Sequence, residues 1–350
     1  MKYVLITGSS GLVGSEAVNF FIKKKFKIIT VDNNLRKYFF GKNADTNWQK
    51  KNQIEKFKNE IIHNSVDIRN HKKISNIFSK YKNKIKCIIH AAAQPSHDWA
   101  YKDPTLDFDV NARATLHLLE CTKKFCSKAT FIYVSTNKVY GDTPNKLKIK
   151  EKKTRFEIVD KKYKKGINEN LSIDKSTHSL FGVSKCSADL LVQEYGRNLK
   201  LKTGVFRAGC ITGPKHSGAE LHGFLSYLVK CNLNKLKYNI FGYKGKQVRD
   251  NIHSYDLVNA FWHFHLKPKK GEVYNIGGSS MNSCSILEAI NLIETMTNQK
   301  MIYSFKQKNR VGDHICYISD ISKLRKHYPN WKIEYSLKEI IRQIISEMKN

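Results

Sequence analysis

The chain opens with KYVLITG, a run that is apolar, rich in β-branched residues and closed by glycine. The next stretch, SSGLVGSEAVNFFIKKK, sets Leu12, Val13, Ala17, Phe20 and Phe21 at helical spacing. A second apolar run, FKIITVD, ends at Asp32, so the N-terminal pattern predicts strand, Gly-rich turn, helix and strand. From Asn33 to about Lys58 the chain is polar and lysine-rich, with Trp48 and Phe57 among its few large apolar residues, and reads as an inserted loop with one helix at most. EIIHNSVDI, KIKCIIHAAA, KATFIYVST and LKTGVFRAG are four further strand-like runs separated by helical segments. This alternation predicts an α/β fold, a doubly wound parallel sheet with helices on both faces.

After Cys210 the pattern loses its regularity. Helical spacing covers Leu221–Cys231, Asp256–His265, Ile286–Thr297 and Leu337–Met348, and short strand-like runs cover Tyr238–Phe241, Val273–Ile276 and Met301–Phe305. The expected organisation is a Rossmann-like nucleotide-binding domain over residues 1–207, to which 250–276 return. A smaller interleaved α/β substrate lobe is expected over 208–249 and 277–350.

A chain of 350 residues can bury one large core or such a pair. Its 62 Lys plus Arg against 30 Asp plus Glu give a net charge of +32, a balance that by itself suggests nucleic acid or an anionic membrane face. The excess is nearly all lysine, however, and it is dispersed through segments such as FIKKKFK, KLKIKEKK and DKKYKKG. There is no arginine-rich strip, zinc-finger spacing or RNP-like aromatic motif, so a general lysine bias with an anionic small substrate is expected, and no nucleic-acid partner. The eight cysteines form no CxxC pair and no metal-ligand spacing, which predicts reduced thiols and no metal. Met1 leads straight into a strand and no apolar run approaches about 18 residues, so no membrane partner and a cytoplasmic location are expected.

The chemistry begins at TGSSGLVG. Gly8, Gly11 and Gly14 follow a strand and open a helix whose first turn carries Leu12 and Val13. Glycine is required where backbone turns tightly against a pyrophosphate, and the helix start offers free N–H groups and a positive dipole end. Asp32 closes the second strand about 20 residues on, where a carboxylate accepts ribose hydroxyls and repels a 2′-phosphate. NAD is the expected cofactor, with Asn33 beside Asp32, while Arg36 and Lys37 keep NADP open. Asp67 and Ile68, after the third strand, suit the adenine. Ala91, Ala92 and Ala93, after the fourth, would let backbone lie against the cofactor, although small residues serve packing equally well.

These residues resemble the extended short-chain dehydrogenase/reductase family of sugar-nucleotide epimerases and dehydratases, nearly end to end. The resemblance runs through TGSSGLVG, VDNN, VDI, HAAAQ, DVNARATLHLLE, YVSTNKVYGD, FGVSK, VFRAG, GKQVRD, VYNIGG, RVGD and ISKLRKHYPNW. Within the family, STNKVYGD, the TRF segment at Thr154–Phe156, the HS before the lysine motif and GKQVRD are most similar to members that epimerise C2 of a CDP-linked hexose. The resemblance implies tightly held NAD, hydride removal to give a 2-ketose, and hydride return to the other face. It implies that Thr136 orients the reacting oxygen, that Lys185 tunes the base and holds the nicotinamide ribose, and that Asn111 supports the active-site backbone. Arg249 and Arg310 match positions that grip the nucleotide diphosphate, a task suited to a bidentate guanidinium. Gln94, Ser96, His97, Asn137 and His178 fall in the same site motifs and are candidate substrate contacts. A homodimer through helices Leu106–Lys124 and Ser184–Leu199 is the family's usual assembly.

One position departs from the pattern. The aromatic residue four before Lys185 should carry a phenol for proton transfer, and here it is Phe181. Loss of a positioned acid/base group costs about two to four orders of magnitude in rate. Three readings compete. Another group transfers the proton, His97 first, with Cys210, His178 and Lys185 as further candidates and Asp98 beside His97. Alternatively the reaction has changed to dehydration, decarboxylation or epimerisation at another carbon, or the protein binds NAD and a nucleotide sugar without catalysis.

Overall fold

The computed structural model describes residues 1–216, 218, 223–307 and 312–349. Seven strands form one parallel sheet: β1 (Tyr3–Thr7), β2 (Lys27–Val31), β3 (Ile61–Asn64), β4 (Ile85–His90), β5 (Thr130–Thr136), β6 (Lys202–Ala208) and β7 (Glu272–Ile276). Their order is β7-β6-β5-β4-β1-β2-β3. Val4, Ile6, Ile28, Ile29, Ile88 and Ile89 are completely buried, as strands covered on both faces require. The order reverses between β1 and β4, where Thr7 pairs with Val31 on one side and His90 on the other. Connections leaving in opposite directions open a crevice at this carboxyl end, the usual ligand position in such sheets.

The chain divides into two compact units. The first comprises Met1–Val139, Leu180–Arg207 and Val258–Tyr274, and the second Tyr140–Ser179, Ala208–Leu257 and Asn275–Asn350. The expected 1–207 domain is therefore too broad, because 140–179 group with the second unit, and the return begins at Val258 rather than 250. Hydrogen bonds account for the first difference. Within the second unit the Tyr140 hydroxyl donates to Asn275 Oδ1 (2.7 Å), the Ile167 N–H to the Ile318 carbonyl (2.7 Å), and Asn145 Nδ2 to the Asp313 carbonyl (3.0 Å).

The 33–58 insertion is more ordered than its polar pattern predicts, with helices at Leu35–Phe40 and Asn47–Lys56. Asn34, in the left-handed region at φ 56°, ties them together: its Nδ2 donates to Asp45 Oδ1 (2.9 Å) and its Oδ1 accepts from the Thr46 N–H (3.1 Å). The buried face consists of Phe39, Gln49 and Gln53, and a face with two glutamines carries little hydrophobic periodicity. The expected Leu106–Lys124 helix is likewise divided into Pro104–Phe108, one π-helical turn at Asp109–Arg113, and Ala114–Cys126.

In the second unit, strand Val248–His253 pairs with Cys210–Thr212, Ser283–Ser285 and Cys316–Tyr317. None of these four strands was evident in the pattern, because Val248–His253 is buried at every residue and its polar side chains hide the alternation. Helix Phe224–Leu233 packs with Ile286–Thr297 and Leu337–Lys349 around Leu228, Ile290, Ile293, Ile341 and Ile344. The expected helix start at Leu221 lies outside the described residues. Among the described residues, no helix is long and apolar enough to cross a membrane, and no group of three His, Cys, Asp or Glu could hold a metal ion.

Candidate active site

The Gly-rich turn is built for close backbone approach. Gly8 has φ 67°, and a Cβ there would lie 2.7 Å from the Ala92 nitrogen; on Gly14 it would lie 2.1 Å from the Gly8 carbonyl oxygen. Gly11 is the N-cap of helix Leu12–Lys23 and supplies no side-chain cap, and the first-turn N–H groups at Leu12, Val13 and Gly14 have no carbonyl of their own helix to bond, an arrangement suited to an anion. Asp32 closes β2 beside this turn, its Oδ2 accepting the Ser10 N–H (2.9 Å) and its Oδ1 the Asn34 N–H (2.7 Å). Burial raises its pKa, against the pull of these two donors. The two cations that kept NADP open are engaged: Arg36 lies over the Phe40 ring (5.0 Å) and Lys37 pairs with Asp45 (3.1 Å).

Of the residues expected to face the adenine, Asp67 is held by Arg69 (Nη2 to Oδ2, 2.7 Å) and by Asn33 Nδ2 (3.0 Å), and Ile68 is buried next to it. The Ala91 N–H donates to the Thr7 carbonyl (3.2 Å) and the Ala92 N–H to Thr7 Oγ1 (3.3 Å), fixing Ala91–Ala93 against the turn. An uncapped helix start, two positions where any Cβ would collide with backbone, and a carboxylate on the ribose side fit a dinucleotide.

The residues expected at the reacting end, Thr136 and Lys185, lie on β5 and on helix Leu180–Arg197. Lys185 is buried; its Nζ donates to the Val134 carbonyl (2.8 Å) and sits 4.3 Å from the centre of the Tyr133 ring. Burial lowers its pKa to about 7, although the charges of Asp189 and Asp107 pull it upward. Thr136 ends β5, with its hydroxyl accepting the Lys138 N–H (3.2 Å) and donating to Asn137 Oδ1 (3.4 Å). Phe181 is 7 % exposed and packs edge-on against the half-buried ring of His97, the centres 5.0 Å apart. Asp98 is exposed.

Gln94 and Ser96 take up structural duties. Gln94 is completely buried: its Oε1 accepts the Ser96 N–H (2.5 Å), and its Nε2 donates to the Ser96 carbonyl (2.8 Å) and to Asp107 Oδ1 (2.6 Å). Ser96 Oγ caps the helix that begins at His97 by accepting the Trp99 N–H (3.3 Å). With its amide engaged in this way, Gln94 braces the turn before His97. Asn111 Oδ1 accepts the Gln94 N–H (3.0 Å), and the two hydrogens of its Nδ2 are shared among three acceptors, the Gln94 carbonyl (3.1 Å), Asp107 Oδ1 (3.0 Å) and Ser184 Oγ (3.1 Å). Asp107 was missed in the sequence, yet its position one helical turn before Asn111 in DFDVNA was a usable signal.

In the second unit, His178 Nε2 donates to the Ile173 carbonyl (2.8 Å), and half-buried Cys210 pairs in register with Asn251. Arg249 is buried, forms an ion pair with Asp313 and donates to its own neighbour's carbonyl at Val248 (2.7 Å). Arg310 lies outside the described residues.

A parallel sheet with its switch point at a Gly-rich helix start, an acidic residue ending the second strand and a buried lysine beside the fifth define a dinucleotide-dependent enzyme class. The chain belongs to the NAD dependent epimerase/dehydratase family, which its residues 4–277 match, and NAD is its cofactor. It is 31% identical to the CDP-paratose 2-epimerase of Salmonella typhi across 97% of each chain. It is 26% identical to the UDP-glucuronate 4-epimerase of Thermodesulfobacterium geofontis across 100% of this chain and 97% of the other. The crystal structure of the Bacillus cereus UDP-glucuronic acid 4-epimerase in complex with UDP-glucuronic acid and NAD superposes at a TM-score of 0.79, covering 99% of both chains at 23% identity.

Proposed function

We propose that the protein epimerises C2 of a CDP-linked hexose of the paratose and tyvelose type through a 2-keto intermediate, with His97 moving the hydroxyl proton in place of a phenol. The 31% similarity to a CDP-paratose 2-epimerase over nearly the whole of both chains supports the substrate class. The edge-on contact of His97 with Phe181 carries the assignment of the proton, because it sets an imidazole beside the ring that lacks the phenol. Imidazole titrates near neutrality and so can both take and return a proton at a ring nitrogen.

Bound NAD supplies a reversible hydride acceptor, which is what allows a carbinol carbon to pass through a ketone. The chain's own residues do the rest. The N–H groups at Leu12, Val13 and Gly14 hold the pyrophosphate and Asp32 accepts the ribose hydroxyls. The Thr136 hydroxyl orients the reacting sugar oxygen. The Lys185 ammonium donates to the nicotinamide ribose and favours the deprotonated oxygen at the reacting carbon. Arg249 serves the diphosphate. Phe108, Leu116, Leu190 and Leu199 are large apolar residues exposed within the two segments expected to pair, and they support a homodimer.

Incubation with CDP-paratose tests the reading. The expected result is an equilibrium mixture of two C2 epimers with no net NADH; a product lighter by water or carbon dioxide would overturn it in favour of a dehydratase or decarboxylase.

A further inference from the structure

The turn that leads into His97, the first residue of a short helix, is tied to the lysine helix through one buried carboxylate. Asp107 is 1 % exposed, and its Oδ1 accepts from both Gln94 Nε2 (2.6 Å) and Asn111 Nδ2 (3.0 Å). Gln94 passes the constraint on by gripping both the N–H and the carbonyl of Ser96, the residue directly before His97. Asn111 passes it the other way, donating to the hydroxyl of Ser184, the residue directly before Lys185 (3.1 Å). Charged and titratable groups reach Asp107 from two further elements, Lys185 on its helix and Tyr133 on β5. Buried polar networks of this kind hold one geometry because every broken link leaves an unpaired group.

We infer that Asp107 and Gln94 form a positioning pair that sets His97 and Lys185 in register with one another. The inference rests on the reading of His97 as the proton-transfer group. Neither residue takes part in the chemistry; each acts by fixing the residue that precedes a reacting one. A phenol on the lysine helix would be registered with the lysine by one turn of helix. A histidine at the start of a separate helix needs a connection across the fold, and Gln94–Asp107–Asn111–Ser184 provides it.

The test uses the full-length enzyme with CDP-paratose, together with NMR titration of the His97 ring, assigned by the signal lost in His97→Ala. Gln94→Ala and Asp107→Ala are each expected to lower kcat at least about tenfold while KM stays within about threefold, with the double variant no worse than the poorer single one. Each should also move the His97 titration midpoint. Gln94→Glu sets a second carboxylate against Asp107 and should be strongly impaired, and adding Asp107→Asn should restore at least about tenfold of the loss. Additive losses, an unmoved His97 titration or absence of that restoration would overturn the pair. Should Asp107→Ala fail to fold, Gln94→Ala and the Gln94→Glu rescue decide alone. If His97→Ala keeps full turnover, the proton assignment falls, whereas the NMR titration still decides whether Gln94 and Asp107 position that ring.

Discussion

His97 stands edge-on to Phe181, ring centres 5.0 Å apart and planes at 67°. The two aromatic rings come from different elements, the short helix that begins at His97 and the lysine helix, and the contact makes the phenyl a wall for the imidazole. His97→Ala is expected to lower kcat by about two to four orders of magnitude with NAD retained. Adding Phe181→Tyr to that variant places a phenol four residues before Lys185 and should recover at least about tenfold. Turnover by His97→Ala equal to that of the unmodified enzyme would remove His97 from the chemistry.

The three glycines of the turn are not equivalent. Gly8→Ala and Gly14→Ala would drive a methyl to within 2.7 and 2.1 Å of backbone, whereas at Gly11 the nearest atom is 3.3 Å away. NAD titration should show affinity lost by more than about tenfold in the first two and by less than about threefold in Gly11→Ala. Equal losses at all three would mean that crowding is not what selects glycine here.

Lys185 links the site to a pH dependence of stability. Burial sets its folded pKa at about 7, below the ordinary 10.5. Between these values the unfolded chain holds a proton that the folded chain lacks, so this residue makes stability rise with pH across that window, and below about 7 its full cost is present. Lys185→Met should therefore stabilise the cofactor-free protein at pH 6 by roughly 1–4 kcal/mol, after the lost hydrogen bond to Val134 is counted, with the gain vanishing above about pH 10. Denaturant titrations at several pH values check this, and a difference that does not change with pH would contradict it.

Behind the lysine, Arg207 grips Asp189 with two parallel bonds of 2.9 Å, and Ser135 and Gln193 complete the carboxylate's partners. Removing one charge from a buried pair leaves the other uncompensated. Arg207→Met is expected to cost about 3–5 kcal/mol in chemical unfolding, and Arg207→Met combined with Asp189→Leu distinctly less. A double variant as damaged as the sum of its parts would show that the pair is not the unit that matters.

Most of the first unit was legible in the sequence, because a parallel strand buried on both faces must be a continuous apolar run and the turn before a phosphate-binding helix must be glycine. TGSSGLVG and Asp32 each follow from one local requirement, and Lys185 was singled out by the family resemblance. The 33–58 insertion was not legible, since Phe39 is inside through aromatic contact with Trp99 and Gln53 through its hydrogen bond to the Ser9 carbonyl rather than through periodicity. Strand Val248–His253 was hidden in the same way: Arg249, Asp250, Asn251 and His253 are all buried, and only their partners explain why.

The sequence alone determined the fold class and the Gly-rich turn, because each depends on residue type at fixed local spacing, and set beside the family pattern it showed the missing hydroxyl at Phe181. Tertiary structure alone decided which side chain meets that phenyl ring, that Gln94 is engaged as a brace, and that Asp107 joins the turn before His97 to the helix of Lys185. Those relationships join residues from separate elements of the fold, and local spacing carries no information about which loops a sheet brings together.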